Sequence, residues 1–179
     1  MKCINCKKKS FDKIISLGKQ PLSCKFPKYK KTRIKKYNLN LVKCNSCGLV
    51  QLDELVNPKE MYGEEYGYYS GISPMMKKHL NKIVKDHLSY IKNNSYILDI
   101  GSNDGTLLNA FFKYNKSLNL VGVDPNIKLF SDKYKKNIKK IPKLFDQKII
   151  GDLNPYQIKF DLIFSIAMFY DISDPNSFI

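Results

Sequence analysis

Two kinds of residue in this chain are placed to do chemistry: paired cysteines, and acids that end apolar runs beside glycines. Cys3-x-x-Cys6 and Cys44-x-x-Cys47 are separated by 37 residues. A two-residue spacing lets both thiolates of a knuckle reach one ion at about 2.3 Å, and two knuckles complete a closed tetrahedral zinc site. Such a site leaves no coordination position for a substrate, so the zinc expected on Cys3, Cys6, Cys44 and Cys47 serves folding. The intervening segment is longer than the usual run of about 15 to 20 residues, which argues against a simple zinc ribbon. Disulfides are the competing reading. The start Met1-Lys2-Cys3-Ile4-Asn5-Cys6 lacks the apolar stretch of a secretory signal, which places the chain in the reducing cytoplasm, where thiols stay free. Cys24 has no partner spacing and is expected as a free, partly buried thiol.

The second constellation is Ile97-Leu98-Asp99-Ile100-Gly101-Ser102-Asn103-Asp104-Gly105-Thr106, an apolar strand, a glycine turn and a helix start. A dinucleotide fingerprint needs Gly-x-Gly-x-x-Gly, and here Asn103 and Thr106 hold its second and third glycine positions. Asp99 near the strand end disfavours a diphosphate and suits a ligand with a cationic amino group, which points to S-adenosylmethionine. A second apolar run, Leu118 to Val123, ends in Asp124, 19 residues beyond Gly105. That interval holds one helix between two parallel strands, a βαβ unit. Asp124 at the second strand's tip can accept both hydrogen bonds of a ribose diol. It can equally act as an Asx cap of the helix starting near Asn126, a role compatible with ribose binding. A tight strand-to-helix turn in some other α/β protein is the bland alternative for these residues.

The formal charge of +15 invites a nucleic-acid reading, but Arg33 is the single arginine among 31 basic residues. Base readout and phosphate forks favour arginine's planar donors, so lysines scattered among Asn and Ile fit a codon bias better than a binding groove. Nucleic acid is therefore disfavoured as a partner, while a basic surface could steer an anionic small molecule such as a nucleotide sugar. No apolar run approaches the 18 to 20 or so residues of a membrane span, which argues against a membrane partner.

The elements that must position these residues follow from periodicity. Leu39 and Leu41 alternate before Cys44, and Gly48-Leu49-Val50-Gln51-Leu52 resumes an extended pattern, so the second knuckle is predicted at a hairpin tip. The Tyr- and Gly-dense stretch Met61 to Pro74 is poor helix material, and its rings suit a pocket lining or a domain junction. Ser73 as N-cap and Pro74 in the first turn begin a helix that carries Leu80, Ile83, Val84, Leu88 and Ile91 toward the sheet. His79 lies near its start, facing either the cleft or solvent. Further helices are predicted over Thr106 to Tyr114 and Ile127 to Tyr134, a strand over Ile138 to Leu144, and a buried parallel strand over Asp161 to Met168. Ligands of open α/β sheets sit beyond the strands' carboxyl ends, so Ser165 to Tyr170 should border the site.

Together these motifs resemble S-adenosylmethionine-dependent sugar C-methyltransferases with an N-terminal zinc-binding domain. The resemblance runs through Leu17-Gly18-x-x-Pro21-Leu22, Cys44-x-x-Cys47-Gly48-Leu49-Val50-Gln51-Leu52, Tyr68-Tyr69-Ser70-Gly71-Ile72-Ser73, Asp99 to Thr106, Gly122-Val123-Asp124-Pro125 and Ser165-Ile166-Ala167-Met168-Phe169-Tyr170. It implies an α/β fold, a Rossmann-like class I methyltransferase domain with a partial parallel sheet over 96–179. A zinc-binding domain over 1–60 and a Tyr-rich linker with a lead-in helix over 61–95 would precede it. It implies a nucleotide-linked keto-deoxysugar or another small molecule as acceptor. Asp99, Gly101, Ser102, Asn103, Asp104, Gly105, Asp124 and Ser165 would bind the cofactor, with His79, Tyr68 and Tyr69 as candidates for the proton chemistry. The family sheet has seven strands in order 3-2-1-4-5-7-6 and a further C-terminal domain, whereas four strands are read here. The chain thus resembles a C-terminally truncated piece, expected to be unstable or inactive by itself. An O- or N-methyltransferase of the same fold and a non-enzymatic zinc and nucleic-acid module are the alternatives.

Overall fold

The computed structural model describes residues 1–23, 25–29, 31–63, 65–153 and 159–179. Cys24 lies outside the described residues, and so does the expectation of a free thiol there. The chain divides into two compact units, Met1–Gly67 with Asp171–Ile179, and Tyr68–Tyr170.

The first unit is built on an antiparallel sheet in the order β1 (Phe11–Pro21), β2 (Lys36–Cys44), β3 (Val50–Leu52). Alternation decides which face is covered: Val42 and Cys44 are buried and Lys43 between them is exposed. β2 and β3 pair Leu41 with Leu52, Val42 with Gln51 and Lys43 with Val50. Their tip is closed by Cys44 N–H donating to Leu49 O at 2.8 Å and by Gly48, at φ +77°, donating to Cys44 O at 2.9 Å. The second knuckle therefore sits at a hairpin tip, as the alternation predicts. β1 was not legible in the sequence: it is largely exposed, and its pairing with β2 is shifted near Lys13 and again between Ser16 and Lys19. A single turn, α1 (Pro58–Met61), follows β3, with the Asn57 side chain accepting from Lys59 N–H at 2.9 Å.

The second unit opens with α2 (Pro74–His87), started by Ser73, whose hydroxyl accepts from Met76 N–H at 3.2 Å. The predicted helix ran on to Ile91; after His87 the chain tightens into a 3-10 turn at Leu88–Tyr90. Among the described residues four strands follow, β4 (Tyr96–Ile100), β5 (Asn119–Val123), β6 (Lys139–Ile141) and β7 (Leu162–Ser165). Between them run α3 (Thr106–Tyr114), α4 (Ile127–Phe130) and α5 (Gln147–Leu153). All pairings are parallel, in the order β6-β5-β4-β7. In strand-of-domain terms this is 3-2-1-4, so the direction of winding reverses at β4, and its neighbours β5 and β7 flank a switch point. The fold class expected from the sequence, α/β with a parallel sheet preceded by a four-cysteine unit, is what the chain adopts.

The core of this unit joins Leu80 and Val84 of α2, Leu107, Leu108 and Phe111 of α3, Ile97, Leu120, Ile127 and Phe164. Three further elements are shorter than their sequence patterns predict. α4 stops at Phe130 and a 3-10 turn, Ser131–Lys133, replaces the rest of the helix expected to Tyr134. β6 has three residues where Ile138 to Leu144 was predicted. β7 ends at Ser165 rather than Met168, and it is not buried throughout: Phe164 enters the core, but Ile163 is 60% exposed. Among the described residues β7 pairs with β4 alone. A final turn, α6 (Pro175–Phe178), belongs to the first unit, where Lys7 Nζ pairs with Asp174 at 3.1 Å and Asn176 Nδ2 donates to Asn5 O at 2.9 Å.

Candidate functional sites: a thiolate centre and an acidic crevice

In the first unit the four sulfurs of Cys3, Cys6, Cys44 and Cys47 all lie within 4.8 Å of one another. Cys3 Sγ is 3.6 Å from Cys47 Sγ, and Cys6 Sγ is 3.5 Å from Cys44 Sγ. A disulfide requires about 2.05 Å, so these are not bonded pairs. Four sulfurs at about 2.3 Å from one ion sit about 3.8 Å apart, the edge of the tetrahedron, so the cluster fits zinc. Burial works to raise the Cys44 thiol, but N–H groups of Cys47 and Ser46 and the Cys6 and Cys3 thiols outweigh it and lower it to about 6. Cys47 is lowered too, first by the N–H of Leu49. These backbone donors stabilise thiolate, the form that binds metal. Gln51, which the sequence did not single out, is buried on β3, and its Oε1 accepts from Ile4 N–H at 3.0 Å, tying the first knuckle to the hairpin of the second.

In the second unit the glycine turn joins β4 to α3 at the sheet's carboxyl edge. Its backbone is left-handed at Gly101 (φ +77°), Asn103 (φ +50°) and Gly105 (φ +73°). At the two glycines space also excludes a side chain: a Cβ on Gly101 would lie 2.9 Å from Met168 Cγ, and one on Gly105 2.6 Å from the Tyr134 ring. Gly101 and Ser102 both donate to Val123 O, at 2.8 and 3.3 Å, which holds the turn against the end of β5.

Asp124, one residue beyond β5, accepts from Asn103 N–H at 3.0 Å through Oδ2 and from Asn126 N–H at 2.6 Å through Oδ1. The second bond is the Asx cap weighed in the sequence, and the first locks the carboxylate to the glycine turn. Each oxygen keeps a lone pair, so two further donors can be accepted. Burial pushes Asp124 upward while the two N–H groups pull it back. Asp99 shares the face of β4 that carries Ile97 and is almost fully buried. Burial, then the charges of Asp124 and Asp104, raise it from 3.8 to about 7. Three acids thus share one buried region inside a strongly basic chain.

Ser102 Oγ is 2.8 Å from the Tyr134 hydroxyl, which donates to Asn103 O at 2.9 Å. Tyr134 therefore buttresses the turn with both its hydroxyl and its ring. Burial, opposed by the bond to Ser102, keeps its phenol protonated well above the ordinary range. The sequence offered no signal for it, since it falls outside every motif. Ser165, at the end of β7 beside Ile100, has a buried Oγ with no hydrogen-bond partner among the described residues. Met168 lies against Gly101, so the segment after β7 borders the turn.

The candidates for proton chemistry are not gathered. Tyr68 and Tyr69 are half-buried near the turn: Asn103 Nδ2 donates to Tyr68 O at 3.3 Å, and the Tyr69 ring packs against Phe130. His79 is exposed on α2.

Residues 3–62 match the family model described as "Putative zinc binding domain". Curated relatives include the tRNA U34 carboxymethyltransferase of Campylobacter lari, 35% identical over 94 residues that cover 52% of this chain and 32% of the relative. That of Campylobacter jejuni is 32% identical over 80 residues, 44% of this chain and 27% of the relative. The chain thus spans about a third of the length of the curated relatives it matches. Among solved structures, the plantazolicin methyltransferase BpumL in complex with a pentazolic analogue and SAH is matched over 57% of this chain and 40% of that one, at 20% identity and a TM-score of 0.43.

Proposed function

We propose that the second unit is the cofactor-binding part of an S-adenosylmethionine-dependent methyltransferase, and that the zinc site holds the preceding unit folded. One observation supports this most: the carboxylate of Asp124, beyond one parallel strand, is hydrogen-bonded to the glycine turn that ends the neighbouring strand. This brings a diol acceptor and a close backbone approach to one crevice, and Asp99 adds an acid suited to an ammonium group. In this proposal Asp99 meets the amino group, Gly101, Ser102, Asn103, Asp104 and Gly105 pass beneath the ligand, Asp124 takes the ribose, and the unpartnered hydroxyl of Ser165 finds its donor or acceptor there. The functional division follows as 1–60, 61–95 and 96–179, in a reducing compartment such as the cytoplasm, where the thiols stay available to metal.

Bound S-adenosylmethionine supplies an electrophilic methyl on sulfonium. The chain's own part is to align the acceptor, exclude water and take a proton. For a nucleotide-linked keto sugar, the acceptor named by the family resemblance, a base must remove the proton beside the keto group so that the carbon can attack in line. Tyr68, Tyr69 and His79 are the residues proposed for this, the tyrosines by their place at the turn. An RNA acceptor is the second reading, favoured by identity to proteins named for tRNA. Radiolabelled methyl transfer tests both. Label in a keto-sugar nucleotide supports the first and label in RNA the second, while no transfer to any acceptor together with no cofactor affinity refutes the proposal.

A further inference from the structure

The segment that enters α2 touches both sides of the acidic crevice. Its main chain is tied to the turn after β4: Ser70 N–H donates to Asn103 Oδ1 and Gly71 N–H to Asp104 Oδ2, each at 3.0 Å, and Asn103 Nδ2 returns a bond to Tyr68 O at 3.3 Å. Its side chain rests beyond β5, where the Tyr69 ring centroid is 5.6 Å from that of Phe130 and 4.4 Å from Lys133 Nζ. The segment therefore crosses the mouth between the ends of β4 and β5. The fit at Gly71 is close, since a Cβ there would stand 2.6 Å from Asp104 Oδ2 and 3.0 Å from Thr106 Oγ1. Asp104 is fixed from the other side, its Oδ1 accepting from Thr106 Oγ1 at 2.7 Å and from Thr106 N–H at 3.3 Å.

We propose that Asn103 and Asp104 are positioning residues whose side chains latch Tyr68–Ile72 across the crevice, and that this strap lifts to let the cofactor in and out. This rests on the cofactor reading above and deepens it. Asn103 is spent at both ends: its main chain donates to Asp124 and its side chain holds the strap. A ligand that engages Asp124 thereby acts on a residue that also holds the strap, and the two events share one coupling free energy. The Asn103 carboxamide and Oδ2 of Asp104 are each engaged by the strap, and Oδ1 of Asp104 by Thr106, so these side chains hold the segment while the turn's main chain stays available to the cofactor.

Two variants open the latch from opposite sides. Asp104→Asn puts a donor where Gly71 or Thr106 needs an acceptor, and Gly71→Ala drives a methyl into the Asp104 carboxylate. Amide hydrogen exchange of the protein should show Ser70 and Gly71 losing about tenfold or more in protection in both variants, with β4 and β5 amides unchanged. S-adenosylhomocysteine, followed by stopped-flow displacement, should leave both variants at least about tenfold faster. Unchanged protection at Ser70 and Gly71, loss of protection only together with β4, or unaltered release from an opened strap would each overturn the latch. The exchange measurement needs no ligand. A parent protein that fails to bind S-adenosylhomocysteine therefore refutes the cofactor reading, while exchange still decides whether Asn103 and Asp104 hold the strap.

Discussion

Replacing Asp99 by asparagine isolates the energetic consequence of a carboxyl in the sheet's interior. Burial first, and the charges of Asp124 and Asp104 second, raise Asp99 from 3.8 to about 7. Between those values the folded protein holds a proton that the unfolded chain has released. The native state is then the one that binds more protons, so stability falls as pH rises through this window and levels off above about pH 7. Slightly more than three pH units at 1.36 kcal/mol each give a loss of about 4 kcal/mol from this group alone. Asp99→Asn removes that titration and leaves the other carboxyls in place. Urea unfolding from pH 4 to 8 should show the two proteins diverging. The difference should grow in favour of the variant by about 4 kcal/mol, mostly between pH 4 and 7. A parallel pair of curves would refute the argument, because it would mean that Asp99 titrates alike in both states.

Other outcomes follow from the same contacts. Metal analysis should find one zinc per chain, and Cys44→Ser, which leaves three thiolates, should weaken retention by more than about tenfold; equal zinc in the variant would contradict the four-thiolate centre. Phe111→Ala empties a fully buried site against Phe164 and should cost about 3 to 5 kcal/mol in urea unfolding. Tyr134→Phe strips the hydroxyl from Ser102 and Asn103 O and should cost about 1 to 3 kcal/mol, with the loss of cofactor affinity exceeding that of a surface control such as Tyr114→Phe. Binding of S-adenosylhomocysteine near pH 6.5 should release protons as its ammonium lowers Asp99, seen as an enthalpy that varies with the buffer's ionisation heat.

The parts legible in the sequence are those whose physics is local. Cysteine spacing, the Ser73-Pro74 helix start and apolar runs ending in acids each depend on a few neighbouring residues, and the zinc cluster, α2 and the β4-α3-β5 unit follow from them. What the sequence withheld depends on contacts far along the chain. β1 is long but exposed, so no hydrophobic alternation marks it, and its pairing is made with residues 15 to 33 positions away. Tyr134 reaches back 31 residues to the turn, and Gln51 reaches 47 residues to Ile4. Asn103 and Asp104 were visible as part of the turn, but the partners of their side chains, Ser70 and Gly71, belong to a segment whose composition suggested only a pocket lining or a junction. The continuous apolar run of β7 predicts a buried strand, yet composition does not reveal how much of each face is covered, and Ile163 is exposed.

The central claim is that neighbouring strand ends carrying Asp99 and Asp124 select a sulfonium nucleoside over a pyridine dinucleotide. Isothermal titration of the protein with S-adenosylhomocysteine and with NADH tests it most directly. Saturable binding of the former is expected, weakened by at least about 2 kcal/mol in Asp124→Ala, and none of the latter. Uptake of NADH with no heat from S-adenosylhomocysteine would contradict it.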